Sequence, residues 1–184
     1  MIAAVFETQA STADRGVNAI VAVMRQVRDL LHVTSSEQYV MKPVGVINSS
    51  IAGHVRHCLE HVAALLTGAM TGRMNYDDRQ RGTDVETSRL AAISAIDQHV
   101  QALEDLRPWL LDQPVLLQVL MVASGPVTTV ETTLGRELAF VLSHTVHHNA
   151  LIAVIARVLN VPVPERFGYA SSTLAYMDNR RCAP

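Results

Sequence analysis

The sequence predicts an all-α fold, a four-helix bundle with a small β-hairpin before the last helix. Three observations carry this. Four long segments repeat apolar residues at three- and four-residue steps. Hydrophobic residues make up 49% of the chain but aromatics only 4%, so the core is aliphatic, which suits helix packing better than aromatic-rich strands. At 184 residues the chain is long enough for one domain whose core needs no staples.

The first helix is expected from Ser11 to Leu31, with Val17, Ile20, Val21, Met24, Val27 and Leu31 as its apolar stripe and Ser11 followed by Asp14 as its start signal. It ends near the polar cluster Ser35 to Gln38, and Met41 to Ile47, containing Pro43 and Gly45, reads as a loop. Asn48, Ser49 and Ser50 are all suitable caps for a second helix running to about Met70 with Ile51, Val55, Cys58, Val62, Leu65 and Leu66 inward. The polar stretch Thr71 to Glu86 reads as a connecting loop. A third helix covers about Thr87 to Leu106, with Leu90, Ile93, Ile96, Val100 and Leu103 in register, and Pro108 stops it. Val115 to Val122 and Val127 to Thr133 are β-branched or aliphatic around Ser124-Gly125-Pro126, which predicts the hairpin. The last helix, Leu134 to Leu159, is apolar on nearly all sides and is expected to be the most buried; Pro162 and Pro164 stop it. Residues 1–184 are thus expected to form a single helical domain, with 165–184 a tail packed on the body or at a subunit contact.

The charge balance narrows the function. A formal net charge of −2 and a pI near 6.4 provide no basic field for phosphates, so nucleic acid is not an expected partner. Met1 to Phe6 lacks the length and basic flank of a signal peptide. The longest apolar stretch is interrupted by His144, His147 and His148 before it reaches the ~18 residues of a membrane span, so no membrane partner is expected and the location is expected to be cytoplasmic. The high hydrophobic content leaves apolar surface for a partner subunit, and a homodimer is expected. Cys58 and Cys182 form no disulfide framework; Cys58 reads as a small buried hydrophobe.

Six of the eight histidines fall in two groups, His54/His57/His61 and His144/His147/His148. At about 100° per residue the first three lie within about 60° of one another on the second helix, a continuous imidazole strip. His144 and His148 are about 40° apart, so both rings reach one ion from one face, while His147 points roughly 100° away from His148. Neutral imidazole suits zinc, nickel, copper and iron alike. A third ligand must come from a neighbouring element, and the strip on the second helix is its source. Isolated His32 and His99 read as ordinary structural histidines.

The segment Leu134 to Ile152, with its His-x-x-His-His motif, and the segment Ser50 to His61 together resemble the DinB-like (DinB/YfiT-like) superfamily of four-helix-bundle metal proteins. The loop Tyr76-Asp77-Asp78-Arg79-Gln80-Arg81 is similar to one branch of it. The resemblance runs from the second helix to the end. It implies an up-down-down-up bundle and one divalent metal ion (Zn, Ni, Fe or Mn) held by His57, His144 and His148. His54, one turn from His57, reaches the same place, and His61 and His147 fall to supporting or surface positions. It also implies an enzyme in which the metal activates a thiol or water, since members include thiol S-transferases using bacillithiol, mycothiol or glutathione, with a few isomerases and hydrolases. The expected partners are therefore a low-molecular-weight thiol and a small electrophilic substrate. A non-enzymatic metal-binding or dimerising bundle and a metal-dependent hydrolase are the alternatives.

Two metal chemistries are disfavoured by the residues themselves. Thr145 follows His144 and no acid stands before His148, so the glutamate of the His-Glu-x-x-His protease motif is missing. No Glu-x-x-His pair suits a di-iron centre. Glu137 reads chiefly as a helix N-terminal acid, Asp77 to Arg81 as a solvated ion-pair cluster, and Asn149 as a hydrogen-bonding partner beside the histidine pair.

Overall fold

The computed structural model describes residues 12–181; Ser11, the Met1 to Phe6 run and Cys182 lie outside the described residues. The helices are α1 (Thr12–Val33), α2 (Ser36–Val40), α3 (Ile51–Thr71), α4 (Arg89–Glu104), α5 (Leu134–Val158) and α6 (Ser171–Arg181). Three short strands, β1 (Arg73–Asn75), β2 (Pro114–Val119) and β3 (Thr128–Thr133), make one small sheet.

Local chemistry accounts for the boundaries. The Ser50 hydroxyl accepts from the Gly53 N–H at 3.2 Å and starts α3, and Ser88 and Thr133 do the same for α4 and α5. Gly72, at φ 71°, ends α3 in the left-handed region, its N–H donating to the Gly68 carbonyl. The short helix α2 was not expected. A capping box holds it, in which Ser35 and Gln38 satisfy each other's backbone, and the Gln38 amide reaches the Leu159 carbonyl at the end of α5.

The bundle is α1, α3, α4 and α5. α3 packs on α5 and α4, and α1 packs on the same two helices from the other side. Ile20, Leu30, Leu31, Ile51, Leu65, Ile96, Leu103 and Ile152 are fully buried at the centre. α5 is long and apolar enough to cross a membrane by length and composition, but it serves as a core helix. It is not buried all round: Phe140, Val154 and Val158 stay exposed, because α5 has bundle neighbours on one side only.

The hairpin forms with Pro114 opposite Thr133 and Val119 opposite Thr128. β2 stops before Val122 because the Leu120 N–H turns to the Asp77 carboxylate, 2.7 Å away, instead of continuing the ladder. β1 adds in parallel, Arg73 beside Leu116, inside a segment expected to be loop. After α5 the chain turns back. Phe167 is buried, and Gly168, at φ 77°, lies so close to α5 that a Cβ would stand 2.7 Å from the Ala150 backbone. α6 then hangs on an ion pair between Arg166 and Asp178.

Candidate metal centre

The α3 and α5 interface positions the histidines. Cys58 and Thr145, each the next residue after a histidine, are both buried, with the Thr145 hydroxyl donating to the Val141 carbonyl of its own helix at 2.8 Å. Burial pushes the Cys58 thiol up to about 12, so it stays protonated and serves packing. Across the packing of α3 on α5, His57 and His144 meet, Nε2 to Nε2 at 3.0 Å.

Two more imidazoles close around them. The His61 ring stacks on His144 with centroids 4.2 Å apart and meets His57 edge-on at 4.4 Å. The His148 ring lies 4.6 Å from that of His57 and 4.5 Å from that of His144. The ligand atoms of His57, His61 and His144 all fall within 4.8 Å of one another. His61 Nδ1 donates to the His57 carbonyl at 2.9 Å, which leaves its Nε2 with a free lone pair. His148 Nδ1 shares a 2.8 Å hydrogen bond with His54 Nδ1, so His54 orients a neighbouring ring. His147 is exposed, its ring meeting that of His148 edge-on at 5.4 Å.

Electrostatics keep these rings neutral. Burial, then the neighbouring histidines and Arg79, lower His57 to about 3. Burial and neighbouring histidines lower His148 to about 3, and burial with His61, His147 and Arg79 lowers His144 to about 4. Burial also lowers His54 and His61. Neutral imidazole is the form that ligates a metal.

The donor set fits a divalent transition ion. Two imidazole nitrogens on one tetrahedral ion, each at 2.0–2.1 Å, stand roughly 3.3 Å apart, close to the 3.0 Å between His57 and His144. Three histidines close together could thus hold a metal.

An aromatic and ionic layer surrounds the rings. Tyr76 stacks on His61 at 4.9 Å and 13°, Phe140 on His144 at 5.5 Å and 22°, and the two aromatics touch at 5.4 Å. The Tyr76 hydroxyl donates to Glu137 at 2.8 Å. Glu137, fully buried, also accepts from Thr132 and Arg136, so it is far more than an acid at a helix start. The residues Asp77, Asp78, Arg79 and Arg81 form no ion pair with one another among the described residues; Arg79 acts as a nearby positive charge on the histidines. The Asn149 amide is buried, and among the described residues it has no hydrogen-bond partner. Spacing placed His61 on one strip with His57, and the resemblance then assigned it a supporting or surface position; the roles of Tyr76 and Phe140 escaped the spacing argument. The one available signal was an aromatic residue inside an otherwise polar loop.

No family model matches the chain. Over 105 residues, 56% of its length, it is 34% identical to FK506-binding protein 5 of Rhizopus delemar, of which it spans 27%. The chain thus covers only about a quarter of that relative. The crystal structure of a DinB-like protein from Bacillus subtilis matches with a TM-score of 0.60 and 20% identity over 82% of this chain and 95% of that one. This chain has the DinB-like fold. The DinB-like bundle accounts for the helical body and for the α3 and α5 pairing on which the histidines sit.

Proposed function

We propose that this DinB-like chain binds one divalent transition-metal ion and uses it to activate a thiol or water against a small electrophile, as a thiol S-transferase does. The single observation behind this reading is the approach of His57 Nε2 and His144 Nε2 to 3.0 Å among further neutral imidazoles. His148 is the proposed third ligand, since it shares a face with His144 and His54 orients its ring. His61 is the rival, favoured by its place in the tight group with His57 and His144.

A divalent ion on three histidines supplies an open coordination position that acidifies a bound water or thiol. The chain supplies the surroundings. Tyr76 and Phe140 cover the outer faces of His61 and His144 and hold those rings in place. Arg79 places positive charge beside the site, where it favours an anionic end on the thiol cosubstrate.

Elemental analysis of untagged protein tests the metal: near-stoichiometric Zn, Ni, Fe or Mn is expected, and it is lost in His57→Ala and His144→Ala. Comparing His148→Ala with His61→Ala identifies the third ligand by which variant loses the ion. Absence of metal from the wild-type protein sinks the reading. Turnover of metal-loaded protein with glutathione, bacillithiol or mycothiol and a small electrophile tests the chemistry, and a rate independent of thiol would mark a hydrolase. The exposed apolar face of α5, with Phe140, Val154 and Val158, favours a second reading, a dimerising metal-binding bundle without turnover. Sedimentation of the purified protein checks the dimer.

A further inference from the structure

The small sheet ends in an outer strand. Its order is β1, β2, β3, so β3 is an edge. Every residue of β3 except Thr132 is exposed, although the strand reads Thr-Thr-Val-Glu-Thr-Thr, a run rich in the β-branched residues that favour sheet pairing. Its register with β2 is unbroken by a bulge, and it carries no lysine or proline, the usual devices that blunt an edge in a monomer.

The ladder decides which backbone groups point outward. Pro114 stands opposite Thr133 and Val119 opposite Thr128, and one pair beyond that end the Leu134 N–H donates to the Gln113 carbonyl at 3.0 Å. Bonded and non-bonded positions alternate along an antiparallel pair, so Thr128, Val130 and Thr132 bond to β2, while Thr129 and Glu131 turn their N–H and C=O groups away from it. Among the described residues no other backbone group meets those of Thr129 and Glu131. Two outward residues flanking one valine form an edge that matches its own two-fold copy.

We propose that the chain forms a homodimer in which β3 pairs antiparallel with β3 of a second copy, joining the two three-stranded sheets into one. The two-fold axis passes between the two Val130 residues. Thr129 of one copy then exchanges both backbone bonds with Glu131 of the other, and the two valines take a non-bonded position, where side chains come closest. Centring the pair on Glu131 instead sets two carboxylates opposite each other, and centring it on Thr129 leaves only Thr128 to Val130 of the strand paired. The favoured register carries the exposed apolar tip of the hairpin, with Met121, Val122 and Val127, alongside the partner's Thr133 and the start of its α5. This surface is separate from the exposed face of α5 and contains no histidine, so the dimer does not rest on the metal reading. It adjoins the histidines through Thr132, which donates to Glu137; Glu137 accepts from Tyr76, and Tyr76 stacks on His61.

Sedimentation of the full chain, with and without chelator, tests this. A mass near twice 20.1 kDa is expected in both conditions. Val130→Lys sets two like charges face to face at the axis, and Thr129→Pro removes an N–H that β2 does not use; each is expected to halve the mass while circular dichroism stays as in wild type. Val154→Lys, on the exposed face of α5, is expected to remain dimeric. Oxidation with diamide in a Cys182→Ser background reads the register. Val130→Cys is expected to give a covalent dimer and Glu131→Cys is not, because Glu131 stands opposite Thr129 of the other copy and the two Glu131 positions are too far apart for a disulfide. If the lysine and proline variants do not fold, the two cysteine variants still decide. A monomeric wild-type protein, which would leave the edge to a strand of some other protein, overturns the proposal. So does a dimer that survives Val130→Lys, or cross-linking of Glu131→Cys as fast as that of Val130→Cys.

Discussion

At the residue scale, the imidazoles are held neutral by burial and by one another, and this has a sign. Unfolded histidines titrate near 6.5, whereas His57 and His148 are lowered to about 3 and His144 to about 4. Between those limits the unfolded chain binds more protons than the folded one, so stability is full above about pH 6.5 and falls as pH drops towards the folded values. Urea midpoints of chelator-treated protein are expected to fall from pH 7.5 to pH 5, with a flatter profile in a variant whose His57, His144 and His148 are all changed to glutamine. Glu137 is the second residue with a definite expectation. Its buried carboxylate takes hydrogen bonds from Tyr76, Thr132 and Arg136, and Glu137→Ala leaves those donors without it, at a cost of about 1–3 kcal/mol in denaturant unfolding. The same change frees the Tyr76 ring that stacks on His61, so metal affinity is expected to fall along with stability.

At the element scale, α3 and α5 carry the clustered histidines, and the sheet and tail fix what surrounds them. β1 is three residues long and exists because β2 offers a parallel partner. Gly68 lets it approach α3, since a Cβ there would meet the Met74 side chain at 2.3 Å. At Gly168 both the left-handed φ of 77° and the 2.7 Å approach to the Ala150 backbone demand glycine. Gly168→Ala is therefore expected to destabilise by about 1–3 kcal/mol and to loosen α6, which limited proteolysis will report as faster cleavage after residue 165. A variant as resistant as wild type would show that the tail does not depend on this contact.

At the scale of the whole molecule, one aliphatic core holds four helices, and the histidine cluster occupies one of its interfaces. Core and centre are separable. Ile96 is fully buried on α4, away from the histidine pair of helices, and Ile96→Ala is expected to cost about 2–5 kcal/mol while leaving metal stoichiometry unchanged at a temperature where the variant is folded. Loss of metal from that folded variant would mean that the site senses packing across the bundle.

Much of this architecture was readable in order along the chain. The stripe Val17, Ile20, Val21, Met24 and Val27 located α1, and Ser50, one of the three caps read for the second helix, starts α3. Periodicity and capping act over a few residues, so composition and spacing contain them. The same local geometry placed His144 and His148 on one face and turned His147 outward. What spacing could not reach depends on contacts between distant segments: β1, which needs β2; the buried role of Glu137, which needs Tyr76 from another element; and the tail, which needs the α5 backbone. The histidines divide in the same way. A strip on α3 and a pair on α5 follow from the sequence alone, because azimuth is a property of one helix. Which rings meet follows from the tertiary structure, because the packing of α3 on α5 sets the register between helices and brings His57, His61 and His144 into one group with His148 beside it.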